Sequence, residues 1–184
     1  LEPLLPRVQK PVQYVGGELN AVSKDWDSCD VRWALMYPDA YEVGVPNQGV
    51  QILYEVLNEQ PDVLAERTYA VWPDLEALMR EHQVPQFTVD AHRPVGAFDL
   101  FGVSFSTELG YTNLLTALDL AAIPIDAVER DASHPLVVAG GHAAFNPEPI
   151  AGFIDAAIVG DGEQAVLTVT DIVGEWKAQG RPGG

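Results

Sequence analysis

Four short stretches of this 184-residue chain carry residues that could grip a polar ligand. They are Asp39-Ala-Tyr41-Glu42-Val-Gly44, Ser104-Phe-Ser106-Thr-Glu108, Gly140-Gly141-His142 and Gly160-Asp-Gly162-Glu163. Glycines admit a large ligand close to the backbone and supply positive φ where a chain turns sharply. The hydroxyls of Ser104 and Ser106 can bond a polar cofactor edge. The first stretch has the frame Asp-x-Tyr-x-x-Gly. Tyrosine is a poor metal ligand at neutral pH, because its hydroxyl titrates near ~10. The plainer reading also stands: Gly at strand ends, and Asp or Ser before helices, are what tight strand-to-helix turns require.

Each stretch follows an apolar run, and the runs alternate with helical patterns. VRWALMY (31–37) reads as a first strand, AERTYAV (65–71) as a second, FDLFGVSF (98–105) as a third, PLVVAGG (135–141) as a fourth and DAAIVGDGE (155–163) as a fifth. QFTVD is a possible short strand as well. Between them, GVQILYEVLN (49–58) has a helical apolar face, PDLEALMREH begins on Pro73 with acids first and Arg and His last, and YTNLLTALDLAA (111–122) turns its leucines to one side. NPEPIAGF makes at best a helical turn. A final helix covers Glu163 to Lys177.

This alternation predicts an α/β, flavodoxin-like (Rossmann-like) three-layer fold with a mainly parallel five-stranded sheet, order 2-1-3-4-5. Residues 1–30 read as an irregular arm lying over the domain, 31–178 as the domain, and 179–184 as the start of a linker. In such sheets ligands bind beyond the carboxyl ends of the strands. All four stretches then fall on one rim.

Composition removes several classes. A net charge of −17 argues against nucleic acid and against an anionic membrane surface. No apolar stretch approaches the ~20 residues of a membrane span. One cysteine, Cys29, allows no internal disulfide and no Cys-based cluster, and it fits a reducing, cytoplasmic location. The four histidines lack ligand spacing, so no metal site is expected. There is no phosphate loop, no dinucleotide fingerprint and no nucleophile elbow. A receiver domain and an FMN-binding flavodoxin both want different strand ends.

GGHAAFNPEPIAGFIDAAIVGDGE (140–163) resembles the end of the cobalamin-binding-type domain that precedes a radical S-adenosylmethionine domain in many enzymes. LLPRVQKPVQYVGGELN, PDAYEVG, NQGVQILYEVLN and VWPDLEALMREH resemble one subgroup, the largely uncharacterised fused radical S-adenosylmethionine proteins. The resemblance covers nearly the whole chain, which does not begin with Met and reads as an excised N-terminal domain.

The resemblance implies a cobalamin-binding-like accessory domain, and a radical S-adenosylmethionine domain of the same chain as its partner. In the related cobalamin domains a His stands where Tyr41 stands here, and the residue matching Asp39 holds that His by a hydrogen bond. Asp39, Gly44 and Ser104 match the family pattern; Tyr41 and Ser106 depart from it. The implied cofactor-binding residues are Asp39, Tyr41, Gly44, Ser104, Ser106, Gly140, Gly141, His142, Gly160, Gly162 and Glu163. A cobalamin would sit with its lower axial face free and its dimethylbenzimidazole tail in a slot near Ser104 and Gly140-Gly141. Tyr41 would cap the corrin or bond Asp39. The 4Fe-4S cluster and S-adenosylmethionine belong to the parent protein, since this chain lacks CxxxCxxC and cannot do radical chemistry alone.

Two alternatives stay open. One is a cofactor-free module that docks the radical domain through its rim and arm, with Phe105, Tyr111, Phe145 and Phe153 partly exposed. The other is a flavodoxin-like domain for another nucleotide-like ligand.

Overall fold

Parallel strands are covered on both faces, so they read as near-continuous apolar runs. VRWALMY is such a run, and it forms β1 (Val31–Tyr37) as expected. The computed structural model describes residues 1–181, with a five-stranded parallel sheet in the order β2-β1-β3-β4-β5. The remaining strands are β2 (Val63–Tyr69), β3 (Leu100–Ser104), β4 (Leu136–Gly140) and β5 (Ala156–Ala157). The α-helices are α1 (Tyr41–Gly44), α2 (Gln48–Asn58), α3 (Pro73–His82), α4 (Tyr111–Leu120) and α5 (Gly162–Ala178). The α/β class and the strand order are those read from the sequence.

Successive side chains alternate between the sheet's two faces. Trp33 and Leu35 of β1 join Val63, Leu100 and Val138 beneath α2 and α5. Ala34 and Met36 join Phe101, Val103 and Val137 beneath α4. Each fully buried aliphatic side chain contributes roughly 1.5–3 kcal/mol relative to exposure. A third cluster sets Leu75, Leu78 and Met79 of α3 against Leu4, Val8 and Tyr14 of the N-terminal segment. That segment is a series of short 3-10 turns (Glu2–Arg7, Pro11–Tyr14, Trp26–Ser28) crossing the domain.

Local chemistry sets the helix ends. Asn47 caps α2 by accepting from the Val50 N–H at 3.0 Å. Pro73 opens α3, whose acids and bases are arranged to suit the helix dipole. Gln83 ends it in the left-handed conformation, at φ 54°.

Several boundaries differ from the sequence reading. β2 lies two residues earlier than 65–71, because the chain peels away after Tyr69. The N–H of Ala70 goes to the Asp39 carbonyl, and that of Trp72 to the Tyr14 hydroxyl. The expected nine-residue fifth strand is only Ala156–Ala157, both exposed at the sheet edge. Ile158 still donates to the Ala139 carbonyl, and Gly160 at φ 122° then turns the chain into α5. QFTVD forms a single antiparallel bridge, Phe87 to Pro94. Of the expected linker, residues 182–184 lie outside the described residues. Arg181 is tied down, donating to Asp99 at 2.9 Å.

Candidate functional site

A glycine inside a strand marks a close approach. Gly102 lies within β3, and a Cβ there would stand 2.9 Å from the Trp33 ring. Its absence lets the indole lie across the sheet, where Trp33 Nε1 donates to Thr170 Oγ1 of α5 at 2.9 Å. Trp33 thus floors a slot of about 170 Å³ between the sheet and helices α2 and α5. Leu35, Val50, Leu53, Val138, Ile158 and Val166 line it with apolar side chains. Ser104, Gly140, Gly141, Gly160, Gly162 and Glu163 surround it at the carboxyl ends of β3, β4 and β5.

Two of these glycines are there for different reasons. A Cβ on Gly140 would meet no atom within 4 Å, so the space beside it is open. Gly141 has φ 87°, and a Cβ there would lie 2.6 Å from the Phe105 carbonyl oxygen. That carbonyl accepts from the Ala143 N–H at 3.0 Å, while Phe105 N–H donates to the Gly140 carbonyl at 2.8 Å. Only glycine permits this crossing of the two strand ends. The Ser104 hydroxyl, half-buried, has no hydrogen-bond partner among the described residues.

The first loop is turned elsewhere. Gly44 packs so closely on Tyr69 that a Cβ would fall 2.4 Å from its ring. Tyr41 meets the same ring edge-on, with centroids 5.6 Å apart. Its hydroxyl donates to Glu18 of the N-terminal segment. The expected bond to Asp39 is therefore absent; Asp39 Oδ1 accepts instead from the Ala40 N–H at 2.7 Å. Glu42 is held by the same segment, accepting from Lys10 at 3.0 Å and Gln13 at 2.6 Å. The N-terminal segment clamps this loop away from the slot.

Burial first, then the hydrogen bond to Glu18 and its charge, push the Tyr41 hydroxyl from 10.0 up to about 12. A pKa raised on folding gives stability that is complete below the unfolded value and lost as pH climbs through the folded one. Denaturant midpoints of the native chain are therefore expected to fall between pH 10 and 12. Tyr41→Phe should remove part of that fall. The difference between the two proteins separates Tyr41 from Tyr14, Tyr54 and Tyr111, which burial also raises, and carries with it the coupling to the buried Tyr69 hydroxyl beside it.

The structure therefore gathers Ser104, Gly140, Gly141, Gly160, Gly162 and Glu163 at one opening. Tyr41 and Gly44 face the β2 side, and Asp39 borders a separate cavity on the other face of the sheet. Ser106 and His142 are exposed on the rim. Phe105, expected to be partly exposed, is fully buried in the core beneath α4, because its backbone joins β3 to β4. Phe145 is 65% exposed; Tyr111 and Phe153 are half-buried. Among the described residues, no three His, Cys, Asp or Glu side chains are grouped to hold a metal ion, and no helix is long and apolar enough to cross a membrane.

Sequence reasoning missed the slot's floor and walls. Trp33, Val50, Leu53 and Val166 look like ordinary core residues, and the one local signal was Gly102 inside a strand. Compared with known proteins, the chain matches over residues 49–183 a family model described as radical SAM proteins, N-terminal. No curated protein matches it.

Proposed function

The chain belongs to the family of radical SAM protein N-terminal domains, and on that premise we propose that it holds a cobalamin by inserting the cofactor's aromatic tail into the slot over Trp33. Family membership implies a linked radical SAM domain, to which this domain is accessory. The observation that carries the reading is the slot itself: apolar, floored by an indole, and open beside Gly140.

The residues fit such a tail. About 170 Å³ is less than the roughly 300–1,000 Å³ of a pocket that encloses a drug-sized ligand. It suits a flat bicyclic ring, with the macrocycle left outside on the rim. The Trp33 ring and the walls from α2 and α5 would exclude water from the tail, and aromatic contact adds to burial. Gly140, Gly141, Gly160 and Gly162, which line the slot, would leave backbone open to the tail's sugar and phosphate. The free Ser104 hydroxyl offers a hydrogen bond at the entrance. Tyr41, whose hydroxyl donates to Glu18, would not be among the residues that hold the cofactor. When bound, the cofactor supplies the chemistry of methyl transfer or a related radical step, while this domain orients it.

Cobinamide, which keeps the corrin but lacks the nucleotide tail, provides the test. Calorimetry is expected to show binding of cobalamin weakened at least about tenfold in cobinamide, the equivalent of ~1.4 kcal/mol. Equal affinities would remove the slot from the interaction.

A second reading, docking of the radical SAM domain on the bare rim, is favoured by Leu109 and Phe145. They are 86% and 65% exposed. Tyr111 joins their two loops, its hydroxyl bonding the Ala143 and Asn146 carbonyls at 3.0 and 3.1 Å. A docked domain would cover both side chains.

A further inference from the structure

On the opposite face of the sheet from the slot, a cavity of about 300 Å³ opens between α3, α4 and the loop after β1. Asp39, Ala70, Trp72, Glu76, Gln86 and Asn113 border it. Gln86 is 1% exposed. Its amide nitrogen spends both hydrogens, on Thr68 Oγ1 at 2.8 Å and on the Tyr69 carbonyl at 2.9 Å. Its side-chain oxygen accepts from no described residue, and the side chain lines the cavity, so the acceptor is free for a donor that enters there.

The neighbouring groups have the same polarity. Asn113 uses its amide nitrogen on the Pro38 carbonyl at 2.9 Å, which leaves its oxygen available. Thr116 gives its hydroxyl proton to the Thr112 carbonyl. Asp39 has no ion-pair partner among the described residues. Glu76 is paired with Arg80 at 3.0 Å, but Arg80 is shared with Asp119 at 2.5 Å, so the group stays net negative. The Trp72 ring already carries one cation, the Lys10 ammonium 4.8 Å from its centroid. Ala70, Val71, Pro73 and Ala117 complete apolar walls.

A ligand that answers this pattern donates hydrogen bonds, carries positive charge and has a short apolar stem. A bare divalent ion does not answer it: such ions want six or more oxygens at close range, and no three carboxylate, His or Cys groups are grouped here among the described residues. We propose that this cavity binds a small organic cation of the alkylammonium or guanidinium class, with Gln86, Asn113, Asp39 and Glu76 accepting its N–H groups and Trp72 contacting its stem.

The test uses agmatine as probe, with n-butanol and magnesium chloride as controls, on the purified chain. Calorimetry should show saturable agmatine binding and none for either control. Amide NMR of the unmodified protein should show the Gln86 and Asn113 side-chain NH₂ signals shifting on the same titration curve. The double variant Asp39→Asn, Glu76→Gln should weaken agmatine at least about tenfold, as loss of charge-assisted bonds requires. The NMR mapping decides the matter even if that variant folds poorly. Overturning results are the absence of saturable agmatine binding, equal binding of n-butanol, displacement by magnesium alone, or shifts confined to other surfaces.

Discussion

Asp90→Ala is expected to lower the unfolding free energy by about 3–5 kcal/mol, the typical cost of removing one partner from a buried ion pair. Asp90 and Arg67 are 2% and 9% exposed at their side chains. Asp90 accepts from the Arg67 guanidinium at 2.6 and 3.3 Å and from the Arg67 backbone N–H at 2.6 Å. Without it, Arg67 is left buried over the Tyr54 ring, 4.3 Å from its centroid, with its charge unanswered. The consequence extends along β2, an edge strand. Residues 86–95 cover that edge: Val89 N–H donates to the Arg67 carbonyl at 2.8 Å, and Thr68 Oγ1 to the Phe87 carbonyl at 2.7 Å. An uncovered edge invites association with other chains. Urea denaturation should report the lost stability, and light scattering at rising concentration should report association absent from the native protein.

Gly140→Leu is expected to weaken cobalamin binding about a hundredfold, some 2.7 kcal/mol, with no loss of thermal stability. The position is the last of β4, its φ is not in the left-handed region, and an added Cβ meets nothing within 4 Å. The leucine therefore enters the slot instead of displacing the core. A side chain also narrows the unfolded ensemble relative to glycine, which favours the fold slightly. Gly141 is no substitute for this test. A side chain there would collide with the Phe105 backbone, so lost binding would merely report a damaged rim.

β1 and α3 were legible to the residue. The first is an apolar run with polar residues on either side, and the second opens on Pro73 and closes after His82. β5 was overread because DAAIVGDGE has strand-like composition but lies at an edge, where pairing comes from one neighbour only. The rim was legible as a set of unusual strand ends, whereas its division was not. Tyr41 belongs with Glu18, 23 positions earlier in an irregular segment, and no local spacing announces that bond. The floor of the slot was hidden for a related reason. Gly102 makes sense only once β1 and β3 lie side by side, with Leu35 opposite Gly102, and Trp33 is seen to need the space. Gln86 likewise looked like one residue of a short strand, and its unpaired oxygen appears only when α3 and α4 are in place.

Titration of the purified chain with hydroxocobalamin and with methylcobalamin, followed by visible absorbance and calorimetry, bears most directly on the slot over Trp33. Saturable binding is expected, with the spectrum of a cobalamin whose tail has left the cobalt and whose lower face carries no histidine. No heat and no spectral change up to about 1 mM, a binding free energy weaker than ~4 kcal/mol, would contradict it, and the domain would then stand as a rim that docks its radical SAM partner without a cofactor.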